Sequence, residues 1–104
     1  MAVTLDALTA LIHETLADTL EERGRAAAGD VGPATALYGE GGLLDSLGVA
    51  TLVMELEVRL DERHGVAVVL ADDKAMSRRS SPFRTFGSLR DYTWERVEKA
   101  QDGG

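Results

Sequence analysis

The strongest constraint on this chain lies between Gly42 and Gly65, where Val49, Leu52, Val53, Leu56 and Leu60 recur at spacings of three and four. At about 100° per residue these five share one arc, so the segment must bury one face of a helix. The spacing predicts that helix over Ser46–His64. Arg63 and His64 place cationic groups in its last turn, and Gly65 can take the left-handed conformation that ends it. At the other end a serine directly follows an aspartate. There the unpaired backbone N–H groups and the positive end of the helix dipole can hold a phosphate. Ser46 is therefore the candidate working residue, suited to attachment of a phosphorylated group.

A second apolar row on this helix, Leu47, Ala50, Met54 and Val58, lies on a different side, with Glu57 and Asp61 close by and Ser46 at its N-terminal end. A small helical domain cannot easily bury both rows, so this one is the candidate docking surface. Met54 suits such a surface because its side chain is flexible and polarizable.

The rest of the chain also reads as helical. Leu5, Leu8, Ile12, Leu16 and Leu20, with Leu11 and Ala17 beside them, mark a first core-facing helix between an N-cap at Thr4 and a stop at Gly24. From Gly24 to Gly42 there are six glycines and Pro33, predicting a long irregular loop pinned to the core by Leu37 and Tyr38. Val66–Leu70 is a short apolar run, read as an extended connection because no partner strand is visible. Ala71 to Pro82 is polar and is read as a loop carrying a short third helix. A final helix is expected from near Thr85, with Phe86, Leu89, Thr93 and Val97 inward, ending before a disordered tail at 101–104. The expected fold is all-α, one domain over 1–104 with a core from about 4 to 100 and no internal repeat.

Composition narrows the function. A chain of 104 residues builds one modest core. It has no cysteine, so disulfides, thiolate nucleophiles and cysteine metal sites are excluded, the cytoplasm is the expected compartment, and any reactive thiol must come from a cofactor. Eleven Lys and Arg against eighteen Asp and Glu give a net charge of −7, which disfavours nucleic acid and anionic membrane and favours partners with basic docking surfaces. The start of the chain lacks a basic region. Asp6, His13, Glu14 and Asp18 interrupt the Leu5–Leu20 segment, which is read as neither a signal peptide nor a membrane span.

Asp45-Ser46-Leu47, followed by Leu52-Val53-Met54-Glu55-Leu56-Glu57, resembles the phosphopantetheine attachment region of acyl carrier and peptidyl carrier proteins. Thr85-Phe86-Gly87-Ser88-Leu89-Arg90-Asp91-Tyr92 resembles the opening of that family's last helix, and the similarity runs from Leu5 to Val97. The resemblance implies a small four-helix bundle of the acyl carrier type, with a long loop between helices 1 and 2 and a short third helix. It implies that a separate phosphopantetheinyl transferase, using coenzyme A and magnesium, joins the Ser46 oxygen to 4′-phosphopantetheine. Asp45 and Leu47 would flank the attachment point. The arm would carry acyl or aminoacyl groups as thioesters between a loading enzyme and downstream biosynthetic enzymes, and the carrier, a monomer, would catalyse nothing itself. Leu47, Ala50, Met54, Glu57, Val58 and Asp61 match positions through which such carriers meet enzymes.

Gly48 and Thr51, then Val58 and Arg59, stand where fatty acid carriers often have acids. Leu60–Gly65 and the basic stretch Ser77–Arg84 are longer than usual. The chain thus looks closer to stand-alone carriers of specialised metabolism, or to the D-alanine carriers used in cell-wall modification.

Three other functions compete with this one. A hydrolase nucleophile elbow needs a glycine two residues before the serine, where this chain has Leu44. His13 and His64 are the only candidate bases, and their separation leaves no zinc pattern. The terminal Gly103-Gly104 would suit a ubiquitin-like sulfur carrier, but that fold needs a β-rich sheet. A helical interaction domain without carrier function would need Ser46 to be a simple N-cap. Arg78, Arg79 and Arg84 are read as a solvated loop, and Trp94 as lying off the core arc of the last helix.

Overall fold

The computed structural model describes residues 3–24, 31–39, 41–71 and 82–102, and those residues form three α-helices and no strand. They are α1 (Leu5–Glu22), α2 (Ser46–His64) and α3 (Phe86–Asp102), with α1 packed against both others. The chain is therefore all-helical where it is described. The expected short third helix falls within 72–81, outside the described residues, as do Arg78, Arg79 and the last two glycines.

Local chemistry sets the limits of α1. Thr4 is extended and its Oγ1 accepts the Ala7 N–H at 3.1 Å, while Gly24 beyond the other end takes a φ of 73°. Leu8, Leu11, Ile12, Leu16 and Leu20 are buried, as are Thr15 and Thr19, whose hydroxyls donate to the carbonyls of Leu11 and Thr15 at 2.7 and 2.8 Å. Leu5, expected inside, is exposed. Val3 takes the end of the core instead, its N–H donating to Gln101 Oε1 at 2.8 Å. That contact also corrects the expected end of the last helix. Gln101 belongs to α3 and ties it to the chain's start.

α2 has the predicted limits, and Val49, Leu52, Val53, Leu56 and Leu60 are its buried arc. Full burial of one such leucine is worth about 2 kcal/mol. Gly65, with φ 65° and ψ 23°, closes the helix. The run after it is a connection that pairs with no strand among the described residues. Val66 and Leu70 turn inward while Ala67 and Val69 face solvent.

Arg59, with a side chain only 14% exposed, joins α2 to α1. Its guanidinium meets Asp18 at 2.8 Å, Glu55 at 3.1 Å and Glu14 at 3.4 Å. Burial opposes its charge, but hydrogen bonds and attraction from Asp18 and Glu55 outweigh burial and raise its pKa.

α3 opens on a reciprocal cap. Thr85 Oγ1 accepts the Ser88 N–H and Ser88 Oγ accepts the Thr85 N–H, both at 3.1 Å. Phe86, Leu89, Thr93 and Val97 are buried as predicted, and Trp94 packs half-buried against the core. His13 lies on the Phe86 ring with centroids 4.3 Å apart.

The second half of the long loop is stapled to this end of α3. Leu37 N–H donates to Arg84 O at 2.7 Å, Phe86 N–H to Thr35 O at 2.9 Å and Gly87 N–H to Pro33 O at 2.8 Å, around an antiparallel bridge between Ala36 and Thr85. The bonds from Phe86 and Gly87 use the first free donors of α3. No helix among the described residues is long and apolar enough to cross a membrane.

Candidate functional site

Asp45 sets the site. Its backbone is extended (φ −86°, ψ −177°) and its Oδ1 accepts the Gly48 N–H at 2.8 Å, so Asp45, not Ser46, is the N-cap of α2. A Cβ on residue 48 would lie 3.0 Å from the Leu44 side chain and 3.2 Å from Asp45 Oδ1, and its absence leaves room for the cap. The same carboxylate is gripped from α1. One Arg23 nitrogen lies 2.9 and 2.8 Å from its two oxygens. A cation at the C-terminus of α1 thus meets an anion at the N-terminus of α2, favourable for both helix dipoles.

With the cap supplied by its neighbour, Ser46 occupies the first helical position with an exposed side chain. Its hydroxyl donates to the Tyr38 phenol oxygen at 3.1 Å. Asp45 also accounts for the Val49 N–H, through its carbonyl at 2.9 Å. Among the described residues no acceptor takes the N–H of Ser46 or Leu47, so two donors remain at the open end of the helix.

A tight turn brings Tyr38 to this point. Leu43 N–H returns to Ala36 O at 3.1 Å and Leu44 N–H to Leu37 O at 2.8 Å, with Leu37 and Leu44 both buried. Any Cβ on residue 42 would sit 2.9 Å from the Leu37 and Tyr38 backbone, so the turn closes only around glycine. Tyr38 was expected to pin the loop to the core. Only Leu37 does so, and Tyr38 is 41% exposed with its phenol over Ser46.

The second face of α2 is open as expected. Leu47 is 67% exposed, Met54 62% and Val58 47%, with Ala50 half-buried among them. Asp61 is exposed. Glu57 is half-buried, and its Oε2 accepts the N–H groups of Leu70 and Ala71 at 2.7 and 3.2 Å. Its carboxylate ties the connection that follows α2 to the helix. His64 lies in the last turn of α2, opposite the Ser46 end, and His13 lies on Phe86, so neither meets the serine. Among the described residues no group of His, Asp and Glu is placed to hold a metal ion.

Arg23 and Tyr38 were not singled out as site residues from sequence. Tyr38 left a faint signal, a residue with a polar tip in a glycine-rich loop that runs into Ser46. For Arg23 there was none beyond its charge at the end of a helix.

No protein-family model, curated protein or solved structure matches this chain. The functional reading stands on the residues themselves.

Proposed function

We propose that this protein is a carrier whose Ser46 bears a 4′-phosphopantetheine arm and that presents acyl or aminoacyl groups to partner enzymes. The observation that carries the reading is the division of labour at the start of α2. Asp45 caps the helix, which leaves the Ser46 hydroxyl exposed and without a structural duty in the cap. A serine needed only for folding would occupy the cap position itself.

The surroundings suit the arm. Ser46 would hold it covalently from an exposed position, and the first-turn N–H groups that have no acceptor among the described residues favour a phosphate there by about 0.3–1 kcal/mol. When attached, the arm supplies the thiol that this cysteine-free chain lacks. The protein's own residues expose the oxygen, cap the helix beneath it and offer Leu47, Ala50, Met54 and Val58 as an apolar face for a transferase or loading enzyme. A flexible tether then raises the effective concentration of cargo at a docked active site. Hydrolysis is disfavoured because Ser46 faces a phenol and not an imidazole.

The test is intact mass measurement after incubation with coenzyme A, magnesium and a promiscuous phosphopantetheinyl transferase. The expected result is one phosphopantetheine on the parent and none on Ser46→Ala. A parent that stays unmodified under conditions that load a control carrier sinks the proposal.

A further inference from the structure

The Tyr38–Ser46 contact asks more of Tyr38 than packing does. Tyr38 is 41% exposed, so burial does not account for its placement, yet the backbone leading into it is held by hydrogen bonds. Its own N–H reaches Arg84 O at 3.3 Å, and its neighbour Leu37 is tied through both N–H and C=O, to Arg84 O at 2.7 Å and Leu44 N at 2.8 Å. The turn brings one polar atom, the phenol oxygen, to the Ser46 hydroxyl at 3.1 Å.

A serine hydroxyl has one proton to donate, and here it points at Tyr38. That leaves the oxygen's lone pairs free for an incoming phosphorus. In esterification the Ser46 oxygen bonds to the phosphorus, the phosphate donor's P–O–P bond breaks and its nucleotide part leaves, and the serine proton passes to a base of the transferring enzyme. This places strongly accepting phosphate oxygens beside a phenol that can itself donate. We infer that Tyr38 is the positioning residue of Ser46, accepting its hydrogen bond while the serine is free and donating to a phosphate oxygen once it is esterified. The inference rests on the carrier reading for the identity of the ester, not for the geometry. The shared chemistry is a phosphate ester on Ser46, which could be the diester of a pantetheine arm or a monoester placed by a kinase.

Phosphoserine installed at position 46 by genetic-code expansion tests this without any transferase. The pH dependence of its phosphorus NMR shift would be compared in the otherwise native protein, in Tyr38→Phe and in Tyr92→Phe. Phenylalanine keeps the ring and removes only the donor. Asp45, Arg23 and the end of α2 act on the phosphate in all three proteins, so the differences isolate the phenols. A hydrogen bond to the dianion lowers its pKa, so Tyr38→Phe should titrate higher by about 0.3–0.5, from a phosphoserine value near about 6, while Tyr92→Phe stays with the parent. Coincident midpoints for Tyr38→Phe and parent would overturn the inference. Intact masses separate the two sources of phosphate: gain of pantetheine from coenzyme A marks the diester, and phosphate alone on protein from its producing cells marks the monoester. A parent that takes up no pantetheine defeats the carrier reading, while the phosphorus titration still decides the role of Tyr38.

Discussion

If Asp45 carries the start of α2 and Ser46 is free of that duty, stability should distinguish two adjacent residues sharply. Asp45→Ala removes the acceptor of the Gly48 N–H, 2.8 Å away, and the partner of Arg23. Loss of an N-cap costs about 1 kcal/mol. The ion pair adds only about 0.5 kcal/mol, because the Asp45 side chain is 64% exposed and solvent screens it. The sum, about 1.5 kcal/mol, lowers the melting temperature of a domain this size by roughly 6–12 °C. Asp45→Asn keeps an oxygen for the cap and loses the charge, so it should cost about 0.5 kcal/mol. Ser46→Ala should lie within about 0.3 kcal/mol of the parent, since alanine suits the first turn and no cap is lost. Urea unfolding followed by circular dichroism, with a common slope, ranks the three. Should Ser46→Ala prove as damaging as Asp45→Ala, the serine would be the structural residue and the reasoning would fail.

Gly87→Ala should be more harmful than a glycine substitution in open space, because its Cβ would sit 2.8 Å from the Pro33 carbonyl oxygen that its own N–H bonds. Overpacking and the strained hydrogen bond together predict a loss of about 2–3 kcal/mol, against about 1 kcal/mol for Gly65→Ala, where only the φ of 65° is unfavourable; thermal melts compare them. Met54→Glu, at a position 62% exposed, should leave stability within about 0.5 kcal/mol of the parent while slowing transfer by a partner enzyme. Unchanged transfer kinetics would remove Met54 from the docking face.

The legible parts of this protein are those in which cause and effect lie within a turn or two. The α2 arc, the Thr4 cap and the left-handed Gly65 follow from spacing and backbone preference, and so does the exposed row beside Ser46. A helix displays its periodicity in consecutive residues, and its ends depend on the groups next to them. The alternation of buried and exposed residues through Val66–Leu70, by contrast, was hidden in a run that is apolar throughout.

Contacts between distant residues were decided only by the folded chain. Arg23 reaches Asp45 across 22 positions, Gln101 holds Val3 across 98, and Glu57 accepts the N–H groups of Leu70 and Ala71. Each depends on where one helix ends relative to another, a geometry that no local preference encodes. The candidate site divides along the same line. Its serine and the helix that carries it were written in neighbouring residues, whereas the arginine that grips its cap and the tyrosine that holds its hydroxyl arrive from α1 and the loop through tertiary packing.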